Sequence, residues 1–255
     1  MPGNEIEIAK FLITRKGAMS LPKLGLLRSI GAPAPGEGYI EIESAQDVDR
    51  LLRSDASAKK ADIYINGKGV SLKQTGPSFL FNRAQRKNLE DTLRHIHLGS
   101  LQETLSRIDN EVQKFHKGQL EGRNRDWRDF FHENDFRELC RFLMMLGSPN
   151  LGMSLHPADF ILEAPSMGMS STNMNVFNFE EYFEAYKNDI KISIRRQWVG
   201  QRSNSEHARA VGIAADPGNV PWVFDDVAGA PRTGWRSDVP ANERKTVYIL
   251  MIEKT

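Results

Sequence analysis

The stretch Ala61-Asp62-Ile63-Tyr64-Ile65-Asn66-Gly67-Lys68-Gly69-Val70-Ser71-Leu72-Lys73-Gln74 gathers residues that can do chemistry. Its arms, ADIYI and VSLKQ, alternate as half-buried strands do. Asn66-Gly67-Lys68-Gly69 between them tolerates positive φ, which predicts a tight reversal. With those four residues as the loop, Ile65 faces Val70, Tyr64 faces Ser71, Ile63 faces Leu72 and Asp62 faces Lys73. Side chains alternate between sheet faces. One face then carries Ile63, Ile65, Val70 and Leu72 for a core, and the other carries Asp62, Tyr64, Ser71 and Lys73. A carboxylate is a hard oxygen ligand for Mg²⁺, which takes one or two protein carboxylates and keeps several waters. Such an ion lowers the pKa of bound water and neutralises charge on a phosphate. A neighbouring lysine can orient or deprotonate the attacking water, or stabilise a phosphorane. The chemistry this set suits is metal-assisted phosphodiester hydrolysis. The same residues also read as an ordinary cross-strand Asp–Lys pair on a surface hairpin, worth up to ~1 kcal/mol.

Lys60-Ala61-Asp62 followed by Gly69-Val70-Ser71-Leu72-Lys73-Gln74 resembles the core of the PD-(D/E)xK nuclease superfamily, the type II restriction endonucleases above all. Their pattern is an Asp on one strand and acidic-x-Lys on the next. The chain departs from it at Ala61, where proline is usual, and at Ser71, where the second acid is usual. Some branches carry Ser-x-Lys and take the missing acid from the following helix. The resemblance therefore implies Asp62 as a ligand of Mg²⁺ or Mn²⁺, the Leu72 carbonyl as another, and Lys73 as the residue that positions or activates water. Glu90, or failing it Glu43 or Glu7, would supply the missing acid, with Ser71 part of the catalytic set. Tyr64 and Gln74 would support the site or face DNA. The implied substrate is double-stranded DNA and the implied products carry 5′-phosphate and 3′-hydroxyl ends. A homodimer is the usual assembly, although monomers occur.

The remaining pattern predicts a mixed α/β protein with a central mixed β-sheet flanked by helices, restriction-endonuclease-like. Residues 4–15 read as a helix with Ile6, Ala9 and Ile13 inward. Residues 21–38 read mostly as loop, and Tyr39 to Glu43 as a strand. Ser44 fits an N-cap with Asp47 closing a capping box, opening a helix to about Arg53. Pro77 suits a helix start, so a helix is expected from there to Ile96. Residues 100–118 and 126–146 read as helices, 159–163 as a strand and 179–187 as a helix. Residues 190–194 and 246–252 read as strands. The expected organisation is a catalytic core over 1–146 and a DNA-recognition region over 147–255, packed into the same domain.

A second imitation of the nuclease pattern, His156-Pro157-Ala158-Asp159 then Ile161-Leu162-Glu163, lacks an adjacent acidic-x-Lys strand. Asp159 and Glu163 otherwise read as a strand end and a solvated carboxylate. The segment 191–209 carries Lys191, Arg195, Arg196, Arg202, His207 and Arg209 with Gln201 and Asn204 among them. Cations contact phosphates and guanine edges, and Asn and Gln pair with adenine edges, which suits a DNA-reading surface. The basic loop holding Arg232, Trp235 and Arg236 is a second such candidate. Both also read as solvated charge around packed aromatics. No zinc motif, Walker loop, dinucleotide glycine fingerprint or nucleophile elbow is present.

Net charge is +1, so DNA affinity must come from local clusters of Lys and Arg. The single cysteine, Cys140, excludes an internal disulfide and reads as a buried helical thiol. The first residues show no signal-peptide pattern and no stretch approaches a membrane span. A reducing cytoplasm is the expected compartment. Alternatives to a restriction enzyme are a repair or junction endonuclease and a non-catalytic DNA-binding module.

Overall fold

The structure is a computed structural model that describes residues 4–52, 59–116, 119, 124–148, 152–198, 217 and 246–255. The first elements are α1 (Glu5–Thr14), β1 (Ser20–Leu21), β2 (Gly25–Leu26), β3 (Ile30–Pro33), β4 (Tyr39–Glu41) and α2 (Ala45–Leu51). Then come β5 (Ile63–Ile65), β6 (Lys68–Gln74), β7 (Ser78–Gln85), α3 (Arg86–His95), α4 (Leu101–His116), β8 (Asn124–Asp126) and α5 (Glu133–Arg141). A π-helical turn, Phe142–Leu146, extends α5. The last are β9 (Gly147–Ser148), β10 (Gly152–Met153), β11 (Phe160–Ala164), β12 (Asn175–Phe177), α6 (Phe179–Tyr186), β13 (Ile190–Trp198) and β14 (Thr246–Lys254). The fold is mixed α/β. Among the described residues, no helix is long and apolar enough to cross a membrane.

Two compact units result. The first gathers Met1–Leu80, Phe136–Asp189 and Lys254–Thr255. The second gathers Phe81–Asp135 and Ile190–Glu253. The first unit thus takes residues from both sides of the 146/147 boundary expected from sequence.

The first unit is built on a six-stranded sheet in the order β12-β11-β6-β5-β3-β4. Strands β6 and β11 run parallel, with Val70 opposite Phe160 and Lys73 opposite Glu163. The other neighbours are antiparallel. A parallel neighbour requires a crossover connection, and the chain between Gln74 and Phe160 supplies it. One sheet face presents Ile63, Ile65, Val70, Leu72 and Leu162 to Ile8, Ala9 and Leu12 of α1 and Val48 of α2, all without exposed surface. Burying each of the valine, leucine and isoleucine side chains among them contributes ~1.5–3 kcal/mol.

The hairpin turns on two residues, not four. Asn66 and Gly67 take φ of 50° and 78°, the two positive values of a type I′ turn, whose twist matches the flanking strands. Ile63 pairs with Val70, Tyr64 with Gly69 and Ile65 with Lys68. The register is therefore shifted by two residues from the expected one, and Lys73 is not directly across from Asp62. An even shift preserves side-chain parity, so the apolar face is the one expected.

Two other expectations are corrected. Residues 21–38 include β3, whose residues are all buried. It pairs with β4 and β5, so tertiary pairing overrides its Gly and Pro content. Residues 78–85 form β7 rather than a helix, and α3 begins only at Arg86. The apolar β14 supplies the neighbour that makes β7 a strand. The capping box at Ser44 and Asp47 forms as expected.

In the second unit a four-stranded sheet runs β7-β14-β13-β8. Lys191 of β13 donates to Asp126 of β8 at 2.8 Å.

Asn66 holds the hairpin tip. Its Oδ1 accepts from the Arg28 and Ser29 amides at 2.9 and 3.1 Å. Its Nδ2 donates to the Leu24 and Leu26 carbonyls, both at 2.8 Å. Replacing it with alanine removes these bonds and strains a positive φ. Asn66→Ala is expected to destabilise the protein by about 2–4 kcal/mol, measured by urea unfolding. A change under about 0.5 kcal/mol would contradict this role for the side chain.

Candidate active site

Asp62 stands one residue before β5 and finishes the β5–β6 ladder. Its own amide donates to the Val70 carbonyl at 2.9 Å. The chain before it turns away, with the Lys60 and Ala61 amides both donating to the His156 carbonyl at 3.0 and 2.9 Å. Two residues on from Val70 along β6 is the Leu72 N–H. The Asp62 carboxylate takes it, Oδ2 accepting at 2.6 Å. Ser71 Oγ donates to the same oxygen at 3.3 Å. Both bonds reach Oδ2 and leave Oδ1 as the oxygen that can meet a ligand. Ser71 is thus buried and anchors Asp62.

The His156 carbonyl that draws the chain aside is itself fixed. His156 is buried, with Nε2 at 2.9 Å from the Ala34 carbonyl and Nδ1 at 3.0 Å from Tyr64 Oη. A carbonyl can only accept, so Nε2 donates to it, and in the neutral ring Nδ1 then accepts from the tyrosine. Tyr64 stacks on Tyr39 at 4.9 Å between ring centroids. Gly69 lets this segment lie against β6, since a Cβ there would collide with the Pro157 carbonyl.

Lys73 lies two residues beyond Ser71 and so on the same face of β6. It is half-buried and makes no hydrogen bond or ion pair among the described residues. Its charge reaches three groups: Asp62, Glu5 and Lys60. Glu5 is the residue that sequence reasoning missed. It opens α1, whose start is tied to the sheet by Asn4 Nδ2 donating to the Pro165 carbonyl at 3.1 Å. Its half-buried carboxylate likewise has no hydrogen-bond or ion-pair partner among the described residues.

The electrostatics couple Glu5 to the charges of Asp62 and Lys73. Burial, then the charge of Asp62, raises the Glu5 carboxyl above its ordinary value, with Lys73 opposing. Burial also raises Asp62, outweighing Lys73, the Leu72 amide, Ser71 and Lys60. Burial and then Lys73 lower the Lys60 ammonium to about 8, with Asp62 opposing. Lys60 Nζ donates to the Leu143 carbonyl at 2.7 Å, an acceptor presented by the π-helical turn after α5.

The remaining expected site residues fall elsewhere. Glu90 belongs to the second unit, where its carboxylate accepts from Arg94 at 2.5 Å. Glu43 pairs with Lys16 at 2.9 Å and Glu7 with Lys10 at 3.5 Å. Gln74 ends β6, exposed. Lys191 is held by Asp126. Arg195 and Arg196 lie on β13, but their side chains, like all of Gln201, Arg202, Asn204, His207, Arg209, Arg232, Trp235 and Arg236, are outside the described residues. In the second nuclease-like pattern Asp159 stands exposed just before β11, at the expected strand end, whereas Glu163 is not the solvated carboxylate expected. Asp159 Oδ2 accepts from the Gly69 amide at 2.9 Å. Glu163 has no exposed surface and is enclosed by Tyr182, Tyr186 and Lys254. Cys140 is a core thiol, pushed up by burial.

Among the described residues no cluster of three or more His, Cys, Asp or Glu side chains could hold a metal ion. A Mg²⁺-type site needs only one or two carboxylates with water and carbonyl oxygens. Two raised carboxylates, Glu5 without a hydrogen-bond or ion-pair partner among the described residues and Asp62 with both its bonds on Oδ2, fit that donor set. No family model, curated protein or solved structure matches the chain.

A carboxyl with a folded pKa above its unfolded value makes stability fall as pH rises through that window. Asp62 therefore opposes folding at neutral pH without a cation, and not in acid. An asparagine oxygen can still accept from Leu72. Asp62→Asn is expected to raise Tm at about pH 8, with the gain fading toward about pH 4, as read by scanning calorimetry. A lower Tm at both pH values would show that the carboxylate is there for structure alone.

Proposed function

We propose that this chain is a divalent-metal-dependent endonuclease of the type II restriction class that hydrolyses phosphodiesters of double-stranded DNA. The observation that carries the reading is Asp62, held by Leu72 N–H and Ser71 at the open end of the β5–β6 hairpin, with Lys73 on the same face of β6 and without a hydrogen-bond or ion-pair partner among the described residues. It joins the resemblance of Lys60-Ala61-Asp62 and Ser71-Leu72-Lys73 to the PD-(D/E)xK pattern.

Asp62, through Oδ1, and Glu5 would hold Mg²⁺ or Mn²⁺, with the Leu72 carbonyl as the further ligand the resemblance implies. The ion, when bound, supplies a more acidic water and a counter-charge for the phosphate. The protein's own part follows from its residues. Lys73 orients the attacking water or takes its proton as the new P–O bond forms, and its charge stabilises the phosphorane. The P–O3′ bond breaks and the departing 3′-oxygen takes a proton from solvent water, leaving a 5′-phosphate and a 3′-hydroxyl. Lys60, held by Leu143, adds a second positive charge beside the anionic substrate. Ser71 keeps Asp62 in place. Glu5 takes the role for which Glu90 was the candidate nearest in sequence. The basic segment around Arg195 to Arg209 and the loop at Arg232 to Arg236 would contact DNA. The protein would act in the cytoplasm, as a homodimer or a monomer.

One observation favours a second reading, a DNA-binding module without catalysis. The bond between Asp62 and Leu72 N–H accounts structurally for the presence of Asp62. Incubation with plasmid and phage DNA and Mg²⁺ separates the readings. Discrete fragments support restriction, structure-selective nicking supports a repair enzyme, and intact DNA with a gel shift supports binding alone. For the restriction reading, Lys73→Ala and Glu5→Ala are each expected to slow cleavage by about 10²–10⁴-fold, with specific binding retained in Ca²⁺. Glu90→Ala is expected to cleave at close to the wild-type rate. Loss at Glu90 with none at Glu5 would return the missing acid to α3.

A further inference from the structure

Glu163 is the register partner of Lys73 on the parallel strand β11. Partners in a parallel ladder point to the same side of the sheet, so a carboxylate and an ammonium lie on adjacent strands facing one way. Oppositely charged neighbours so placed ordinarily pair. Here they do not. The Glu163 carboxylate accepts from Tyr182 Oη at 3.1 Å and Tyr186 Oη at 2.6 Å. It also forms an ion pair with Lys254, on the same oxygen that Tyr182 reaches.

The enclosure is tight. Glu163 has no exposed surface and Lys254 keeps only 4%. The Lys254 Nζ lies 3.9 Å from the Tyr186 ring centroid and 5.4 Å from that of Tyr182. Phe177 packs edge-on against both rings. A carboxylate buried this way needs a counter-charge and donors for its lone pairs. Lys254 supplies the charge and the tyrosines of α6 supply the donors. Lys73 is left free.

We propose that Lys254 is a positioning residue for Lys73: by neutralising Glu163 it prevents that carboxylate from capturing the Lys73 ammonium, which stays available to the site at Asp62. Lys254 itself touches no substrate. The proposal concerns the same site and rests on the nuclease reading only for its consequence in cleavage. The pairing it describes is a property of the protein alone.

The test compares wild type, Lys254→Met, Lys254→Arg and Lys254→Met combined with Glu163→Gln. Each is acylated briefly with an N-hydroxysuccinimide ester at fixed pH, and Lys73 labelling is read by peptide mass spectrometry. Removing Lys254 leaves Glu163 to pair with Lys73, and labelling is expected to slow about tenfold, because an amine held in a buried ion pair is withdrawn from the reagent. Lys254→Arg keeps the counter-charge and is expected to label like wild type. The double variant has no carboxylate to capture Lys73, and is expected to label like wild type even where Lys254→Met alone folds poorly. DNA cleavage is expected to follow the same order, lost in Lys254→Met and restored in the double variant. A simple structural defect would not be rescued by a second buried substitution. Unchanged Lys73 labelling in folded Lys254→Met overturns the proposal, as does slow labelling in the double variant. Labelling in the expected order with no cleavage by wild type would overturn the nuclease reading and leave the positioning intact.

Discussion

The bond from Leu72 N–H to Asp62 is the constraint on which the site depends. A strand amide at the end of the β5–β6 pairing needs an acceptor, since an unpaired buried amide is costly. The carboxylate resolves this and in doing so is locked. One oxygen is committed to the backbone and Ser71, so the other has a fixed direction. A flexible surface aspartate would have to lose rotamer entropy on meeting a ligand; this one has lost it on folding. The early end of the ladder is imposed by His156, whose carbonyl collects two amides and whose ring is fixed by Ala34 and Tyr64. Site geometry is thus inherited from a backbone hydrogen-bond arrangement within the sheet.

Charge is the second constraint. Glu5 and Asp62 each carry an elevated pKa because each is partly desolvated, and Glu5 faces Asp62 as well. Lys73 and Lys60 relieve part of that, and Lys60 is itself depressed to about 8 by burial and by Lys73. Like charges held together in a partly enclosed space are a standing electrostatic strain, and perturbed groups of this kind gather at functional sites. On the neighbouring strand the opposite arrangement holds. Glu163 is buried but fully matched by Lys254 and two tyrosines. One carboxylate of the sheet is thus closed off, while the pair at Asp62 stays open.

Much of this was legible in the sequence, for identifiable reasons. The apolar face of the hairpin was readable because side-chain parity survives any even shift of register. The register was not, because Asn66-Gly67-Lys68-Gly69 offers turns of two lengths and only the φ values of Asn66 and Gly67 choose between them. The helices at 5–14 and 179–186 and the strands at 160–164 and 190–198 follow from their periodicity. The strand at 78–85 was hidden, since Pro77 suits a helix start and only the neighbouring β14 decides otherwise. Asp62 and Lys73 were visible by type and spacing. Glu5 was not, because its closeness to them is created by the packing of α1, far from them in sequence. Its signal was weak, an acid in the first turn of a helix, where acids are common for dipole reasons. The cage around Glu163 was hidden in the same way, joining β11, α6 and the end of β14.

The shared cation site of Glu5 and Asp62 is the claim from which the rest follows, and metal binding without DNA tests it most directly. The measurement is Mn²⁺ titration of the free protein, followed by calorimetry and by electron paramagnetic resonance of the unbound ion. Wild type and Glu90→Gln are expected to bind one ion per chain with similar affinity. Asp62→Asn and Glu5→Gln, both folded, are each expected to weaken it at least about tenfold, as loss of one hard carboxylate ligand should. Equal binding by all four proteins, or none by the wild type, would contradict it.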